Sequence, residues 1–144
     1  MAYTKRLMKE LEGLQKNPPR DLKEWVVDLR VLDETNALYR GKAFRLYFKF
    51  PPEYPVEVPQ VQFIKESDHP IPLHPHIYSN GHICLDLLGT EWSPVQNVSS
   101  ICISIQSMLT GNDRAERPPD DERYVKHAPK NPKDTKFYYH DDTV

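Results

Sequence analysis

The densest group of chemically versatile side chains in this sequence lies between residues 69 and 84. Four of the six histidines fall in this stretch, and a cysteine follows them: His69, His74, His76, His82 and Cys84. A thiolate is a strong nucleophile, and a histidine can exchange protons near neutral pH. The segment could therefore support acyl transfer through the cysteine, bind a metal, or do neither.

The simplest interpretation of Cys84 is structural. A free cysteine often acts only as a small apolar side chain, and Cys102, on the apolar side of a predicted helix, fits that description. Cys84 adjoins the turn Asn80-Gly81-His82, which is expected to leave its thiol near the surface. Two cysteines make no disulfide framework, so we expect free thiols and a location in the cytoplasm, the nucleus or both.

A second interpretation is a zinc site, because zinc prefers four histidine or cysteine ligands in a tetrahedral arrangement. The candidate ligands are His74, His76, His82 and Cys84. Their spacing matches no common zinc pattern, and all four would come from one stretch of eleven residues that contains a proline. We therefore expect no metal and no other cofactor.

The third interpretation is a catalytic thiol. The thiolate is the attacking form, and the ordinary thiol pKa of about 8.5 leaves part of the population ionised near neutral pH. A thioester is already activated, so Cys84 would need no complete Cys-His-Asp triad. It would need a hydrogen-bond donor for the oxyanion and a group that positions or deprotonates an incoming amine. Residue types and spacing leave all three interpretations open.

The elements that position this segment are predicted from the spacing of apolar residues. Residues 3–16 are predicted to form an amphipathic helix. Alternation of apolar and polar residues predicts strands at 25–32 and 44–50, and a shorter one at 61–64. Such strands with short connections favour an antiparallel meander packed on helices. Residues 65–97 show no usable periodicity, and a long irregular stretch in a compact domain is usually functional.

The rest of the chain completes one domain. A second helix is predicted at 98–110, with Gly111 as its stop. Residues 122–144 are polar and contain two prolines, and no repeat or second domain is visible in the 144 residues. The net charge of −2 and the lack of a long apolar run argue against nucleic acid or a membrane as a partner.

Several segments, in collinear order, resemble the ubiquitin-conjugating (E2) enzyme family. The stretch from His74-Pro75-His76 to Ile83-Cys84-Leu85 is similar to the active-site signature, in which His-Pro-Asn precedes the acceptor cysteine. Phe50-Pro51-Pro52-Glu53-Tyr54-Pro55 resembles the Phe-Pro-x-x-Tyr-Pro segment, and Trp92-Ser93-Pro94 resembles the Trp-Ser-Pro-Ala loop. The resemblance implies an α+β UBC fold. Its parts are an N-terminal helix, a four-stranded antiparallel meander with its last strand within 73–78, an active-site loop and a central helix.

Two departures from the usual family sequence point to one subgroup of the family. His76 replaces the usual asparagine, and the chain ends with Tyr139-His140-Asp141-Asp142-Thr143 in place of the usual pair of C-terminal helices. Both features resemble the W-type E2 enzymes, which attach ubiquitin to the α-amino group of substrate N-termini. The implied organisation is a UBC core domain at 1–121 and an atypical, non-helical and partly flexible C-terminal segment at 122–144.

The resemblance also implies roles for individual residues. Cys84 would accept ubiquitin as a thioester, His76 would stabilise the oxyanion or brace the loop, and Asp121 would position the amine or be only an exposed carboxylate. His74 and Asn80 would support the active-site loop. The implied partners are ubiquitin, the E1 activating enzyme, RING or U-box E3 ligases and protein substrates with free N-termini. The implied E1 and E3 contacts are Lys5, Arg6, Lys9, Val56, Pro94 and Val95.

Two alternatives remain within the same fold. A carrier of another ubiquitin-like modifier would share every motif described above. A non-catalytic, ubiquitin-binding relative would lack the acceptor cysteine, and Cys84 is present in this sequence.

Overall fold

The structure is a computed structural model, and it describes residues 23–134. The predicted helix at 3–16, with Lys5, Arg6 and Lys9, lies outside the described residues.

The sheet is formed by three antiparallel strands in the order β1-β2-β3. The strands are β1 at Glu24–Leu29, β2 at Phe44–Lys49 and β3 at Gln60–Ile64. In β2 every second side chain is buried, which confirms the strand predicted from alternation. The register places Phe48 opposite Trp25 on one side and opposite Val61 on the other, so one face of the sheet carries the core.

The outer edge of β3 does not pair with a regular fourth strand among the described residues. The N–H of Phe63 instead donates to the carbonyl of Gly81 at 2.9 Å. Residues 73–78, where the fourth strand was expected, form only isolated bridges, between His74 and Ile77 and between Ile77 and Ile83. Prolines at 70, 72 and 75 explain this difference, because each lacks a backbone N–H and has a fixed φ.

Helix α1, at Val98–Thr110, covers the inner face of the sheet and confirms the predicted central helix. Asn97 caps its start: the Asn97 side chain accepts from the Ser100 N–H at 2.8 Å, and the Ser100 hydroxyl accepts from the Asn97 N–H at 2.8 Å. Gly111 is the C-cap, as predicted. The helix buries Val98, Ile101, Ile105, Met108 and Leu109 against the aromatic side chains of the strands.

A second helix, α2, at Asp121–His127, corrects the expectation that the segment from 122 onward is non-helical. Acidic residues occupy its first turn and basic residues its last, which suits the helix dipole. The two prolines that argued against a helix, Pro129 and Pro132, lie after its last residue. A short 3-10 turn follows at Pro132–Asp134. Neither helix between residues 23 and 134 is long and apolar enough to cross a lipid bilayer.

Candidate active site

His74 is buried at the centre of the loop that leads to Cys84. Its Nδ1 accepts from the backbone N–H of His76 at 2.9 Å, and its Nε2 lies 3.2 Å from the carbonyl of Met108. A carbonyl can only accept, so Nε2 carries the hydrogen. Burial lowers the pKa of His74 to about 4, so the ring is neutral at physiological pH. The contacts tie the loop to helix α1.

The turn at residues 79–82 holds the loop against the edge of β3. The Asn80 side chain accepts from the His82 N–H at 3.1 Å. Gly81 has a φ of +95°, and a Cβ there would lie 1.9 Å from the carbonyl oxygen of Phe63. Only glycine allows both this conformation and this close approach. The turn therefore fixes the chain three residues before Cys84 to the sheet.

Cys84 lies behind this turn, with only 8% of its surface exposed. Its N–H donates to the carbonyl of His76 at 2.8 Å, and the N–H of Tyr78 donates to the carbonyl of His82 at 2.9 Å. These bonds draw residues 76–78 alongside the cysteine, so the expectation of a thiol near the surface is wrong. Burial, and then the charges of Asp120 and Asp86, raise the pKa of the Cys84 thiol to about 11.

Two neighbouring carboxylates reach the loop from the start of α2, and they have different contacts. The Tyr78 hydroxyl donates to Asp120, at 3.1 Å and 3.3 Å from its two oxygens. Asp121 accepts from the Ser79 N–H at 2.7 Å. The charge of Asp120, together with that of Asp86, raises the pKa of Cys84, while Asp121, the residue chosen from the sequence, accepts from the loop backbone.

His76 is half-buried, and its ring centroid lies 5.6 Å from that of His74. Its main-chain carbonyl, as described above, accepts from the Cys84 N–H. His76 is therefore beside the thiol through its backbone, and the role of its ring toward the oxyanion stays a prediction.

The residues considered as zinc ligands do not converge as a ligand set. Both ring nitrogens of His74 are engaged by the backbone, and His82 contacts Tyr124 and the backbone of Lys130. Within the described range 23–134, no three His, Cys, Asp or Glu side chains are grouped so that they could hold a metal ion. Cys102 is partly buried against the core on α1, and burial alone raises the pKa of its thiol to about 11.

Of the residues expected to meet E1 and E3, the three that the structure describes lie on two neighbouring loops. The Trp92 indole N–H donates to the carbonyl of Pro55 at 3.1 Å and thereby joins these loops. Val56 and Val95 are 75% and 80% exposed, and Pro94 is exposed beside Val95. The structure thus places these three exposed apolar residues on loops that one hydrogen bond joins.

Sequence reasoning missed Asp120, Asp86 and Tyr78 as parts of the site. Asp86, two residues after the cysteine, could have been found from its position alone. Nothing in the sequence showed which of the adjacent Asp120 and Asp121 acts on the thiol, because that depends on how α2 is docked.

A buried cysteine in a braced loop, with a carboxylate and a tyrosine hydroxyl beside it, agrees with the comparisons with known proteins. The sequence model of the ubiquitin-conjugating enzyme family matches residues 4–139. The chain therefore belongs to the ubiquitin-conjugating enzyme family, as its motifs indicated. Members of this family are acyltransferases that work with ubiquitin, an E1 enzyme and E3 ligases.

Individual relatives refine this assignment. The chain is 48% identical to a protein described as probable ubiquitin-conjugating enzyme E2 W-A of Danio rerio, over 99% of this chain and 98% of that protein. It is 44% identical to ubiquitin-conjugating enzyme E2 W of Caenorhabditis elegans, over 99% and 98% of the two chains. The crystal structure of the E2 UbcA1 from Agrocybe aegerita superposes with a TM-score of 0.81 at 40% identity, covering 92% of this chain and 96% of that one. The UBC fold and the resemblance to the W-type enzymes are confirmed.

Proposed function

We propose that Cys84 accepts ubiquitin from E1 as a thioester and passes it to the α-amino group of substrate N-termini. The observation that carries the proposal is the position of Cys84, buried in the braced loop with the Asp120 carboxylate acting on its thiol and the Tyr78 hydroxyl donating to Asp120. Relatives named E2 W support the choice of substrate.

The transfer step uses few protein groups. The neutral amine attacks the thioester carbonyl, the C–N bond forms, the C–S bond breaks, and Cys84 leaves as a thiolate. Asp120 would accept a hydrogen bond from the amine, whose nitrogen becomes positively charged as it attacks. Because the pKa of the Cys84 thiol is about 11, the departing thiolate takes up a proton at neutral pH, which balances the proton lost by the amine.

The preference for an α-amine follows from its acidity. An α-ammonium has a pKa of about 7.7–8.0 and a lysine about 10.4, so near pH 7.4 roughly a third of α-amines but only about one lysine in a thousand is neutral. The carboxylates of Asp120 and Asp86 favour the protonated form of either amine, so they do not remove this difference. The site would therefore react faster with N-termini than with lysine.

The test is single-turnover discharge of the ubiquitin-loaded enzyme onto matched acceptors. The acceptors are a lysine-free flexible peptide with an open N-terminus, the same peptide acetylated at its N-terminus, and Nα-acetyl-lysine, whose only amine is the ε-amine. We expect rapid discharge to the open peptide only. Efficient discharge to Nα-acetyl-lysine, with no loss when the peptide is blocked, would contradict the proposal. Loading with other ubiquitin-like modifiers in the same assay tests the alternative carrier function.

RING or U-box E3 ligases are the proposed partners of the surface formed by Val56, Pro94 and Val95. Its support is the strong exposure of two apolar side chains on joined loops. Val56→Asp should abolish stimulation of discharge by a RING domain that activates the wild type. Val26→Asp, at a half-exposed valine on the sheet, is the matched control. The proposed location is the cytoplasm, the nucleus or both, where free thiols such as these two persist.

A further inference from the structure

Helix α2 is too small to hold its own conformation. It has seven residues, none of them buried, and its N-cap residue Asp120 makes no side-chain capping bond. Isolated helices of this length do not persist in water, so tertiary contacts must hold α2 in place. The position of Asp120, directly before the helix, therefore depends on those contacts.

Tyr124 supplies three of these contacts. Its ring stacks on that of Tyr78, with centroids 3.8 Å apart and planes inclined by 26°. Its hydroxyl lies 2.8 Å from Nδ1 of His82, and the rings of Tyr124 and His82 meet edge to face. One side chain of α2 thus contacts two residues of the active-site loop.

His82 is matched to this contact by its tautomer. The ring is buried, with 3% of the residue exposed, and it also hydrogen-bonds to the backbone of Lys130. Burial lowers the pKa of the ring, and the bond to Lys130 opposes that shift. A backbone group that favours the protonated ring is a carbonyl, so His82 donates to the carbonyl of Lys130 and carries its hydrogen on Nε2. Nδ1 is left as an acceptor, and the Tyr124 hydroxyl donates to it. His82 therefore joins α2 and the segment after α2 to the loop.

Tyr78, the tyrosine of the active-site loop, extends these contacts toward the thiol. The ring of Tyr78 lies against Tyr124, while its hydroxyl donates to Asp120. The charge of Asp120 acts in turn on Cys84. A further contact, from the Ser79 N–H to Asp121, holds the first residue of the helix.

We propose that Tyr124 is a positioning residue: by stacking on Tyr78 and donating to His82 it keeps α2 docked, and so keeps the Asp120 carboxylate beside Cys84. Tyr124 touches neither the thioester nor the amine in this role. Its effect on transfer is exerted through Asp120.

The test compares Tyr124→Ala and Tyr124→Phe with the wild type. The phenylalanine keeps the stacking and loses the hydroxyl, so its effect should be the smaller. Tyr47→Phe is the matched control, since the Tyr47 hydroxyl donates to Glu24 on the exposed side of the sheet. Iodoacetamide alkylation of Cys84 and Cys102 is followed separately by mass spectrometry between pH 7 and pH 10.5.

In Tyr124→Ala we expect Cys84 to be alkylated faster than in the wild type at each pH of this range, because the carboxylate has left the thiol. The rate at pH 8 should rise about two- to fourfold, since a larger thiolate population outweighs its lower nucleophilicity. Cys102 should be unchanged, as should both cysteines in Tyr47→Phe. An unchanged Cys84 would overturn the proposal. So would equal acceleration of Cys84 and Cys102, because that result would show a role in the fold as a whole.

A second measurement rests on the proposed function, and its result is interpreted separately from the alkylation result. E1-dependent loading of Tyr124→Ala should be retained, while discharge to an open N-terminal peptide should slow by roughly three- to tenfold, the size of a typical positioning effect. If the wild type itself discharges to lysine, the proposed substrate is wrong, yet the alkylation profiles still decide the role of Tyr124. Normal discharge by Tyr124→Ala would overturn that role.

Discussion

Replacing Asp120 by asparagine isolates the effect of one charge on the reactive thiol. Asparagine keeps the shape of the side chain and an oxygen that can accept from the Tyr78 hydroxyl. With a pKa of about 11 in the wild type, only about one Cys84 in a thousand is ionised at pH 8. Burial, the largest cause of the raised pKa, and the charge of Asp86 both remain in the variant.

We therefore expect the pKa of Cys84 to fall by about half a unit to one unit in Asp120→Asn. The thiolate population at pH 8 would rise roughly three- to tenfold, but a less basic thiolate is also a weaker nucleophile. The net expectation is alkylation by iodoacetamide that is about two- to fourfold faster at pH 8.

Cys102 is an internal reference for this experiment. Burial alone raises the pKa of its thiol, to the same value of about 11, so the charge at position 120 should not affect it. The alkylation of each cysteine is followed by mass spectrometry in one sample across pH 7 to pH 10.5. A Cys84 profile that stays where it is, or a shift that Cys102 shares, would refute the assignment of Asp120 as the carboxylate beside the thiol.

Three further predictions concern stability. Gly81→Ala should lower the free energy of unfolding by at least about 2 kcal/mol, because its Cβ would strike the Phe63 carbonyl. The control Gly41→Ala, strained but in open space, should lower it by only about 1 kcal/mol. Equal losses in urea denaturation would argue against the close approach. Arg117→Lys should lower the free energy of unfolding by about 1–3 kcal/mol, because the guanidinium donates to three main-chain carbonyls and a single ammonium cannot make all three bonds. An unchanged midpoint of urea denaturation would count against this role of Arg117. His74 has a pKa of about 4 when folded and about 6.5 when unfolded. Its contribution to the free energy of unfolding is therefore complete above about pH 6.5 and falls by up to about 3 kcal/mol as the pH drops toward 4. His74→Gln should flatten this pH dependence in urea denaturation, and an equally steep dependence in the variant would contradict the prediction.

Local patterns in the sequence were sufficient to predict most regular elements that the structure describes. The alternation in β2 and the apolar spacing of α1 each report which face of one element is buried, and that information is contained in neighbouring residues. The motifs around Cys84 were also collinear with those of the family. These features therefore required no knowledge of how distant segments meet.

The parts that were wrong depend on contacts between distant segments. Tyr78 meets Asp120, Ser79 meets Asp121 and His82 meets Tyr124, and each pair is separated by 42 residues. These contacts stabilise a short helix where composition suggested none and bring Asp120 to Tyr78 and Asp121 to Ser79. A sequence shows the residues of such pairs but not their register, so neither the helix nor the contacts of the two carboxylates could be predicted.

The central claim, that Cys84 carries ubiquitin, is tested most directly by loading the protein with E1, ATP and ubiquitin. Wild type should form an adduct that a reducing agent removes, and Cys84→Ser should form an oxyester that resists it. Cys102→Ser should load like the wild type. A reducible adduct that persists in Cys84→Ser and disappears in Cys102→Ser would contradict the claim.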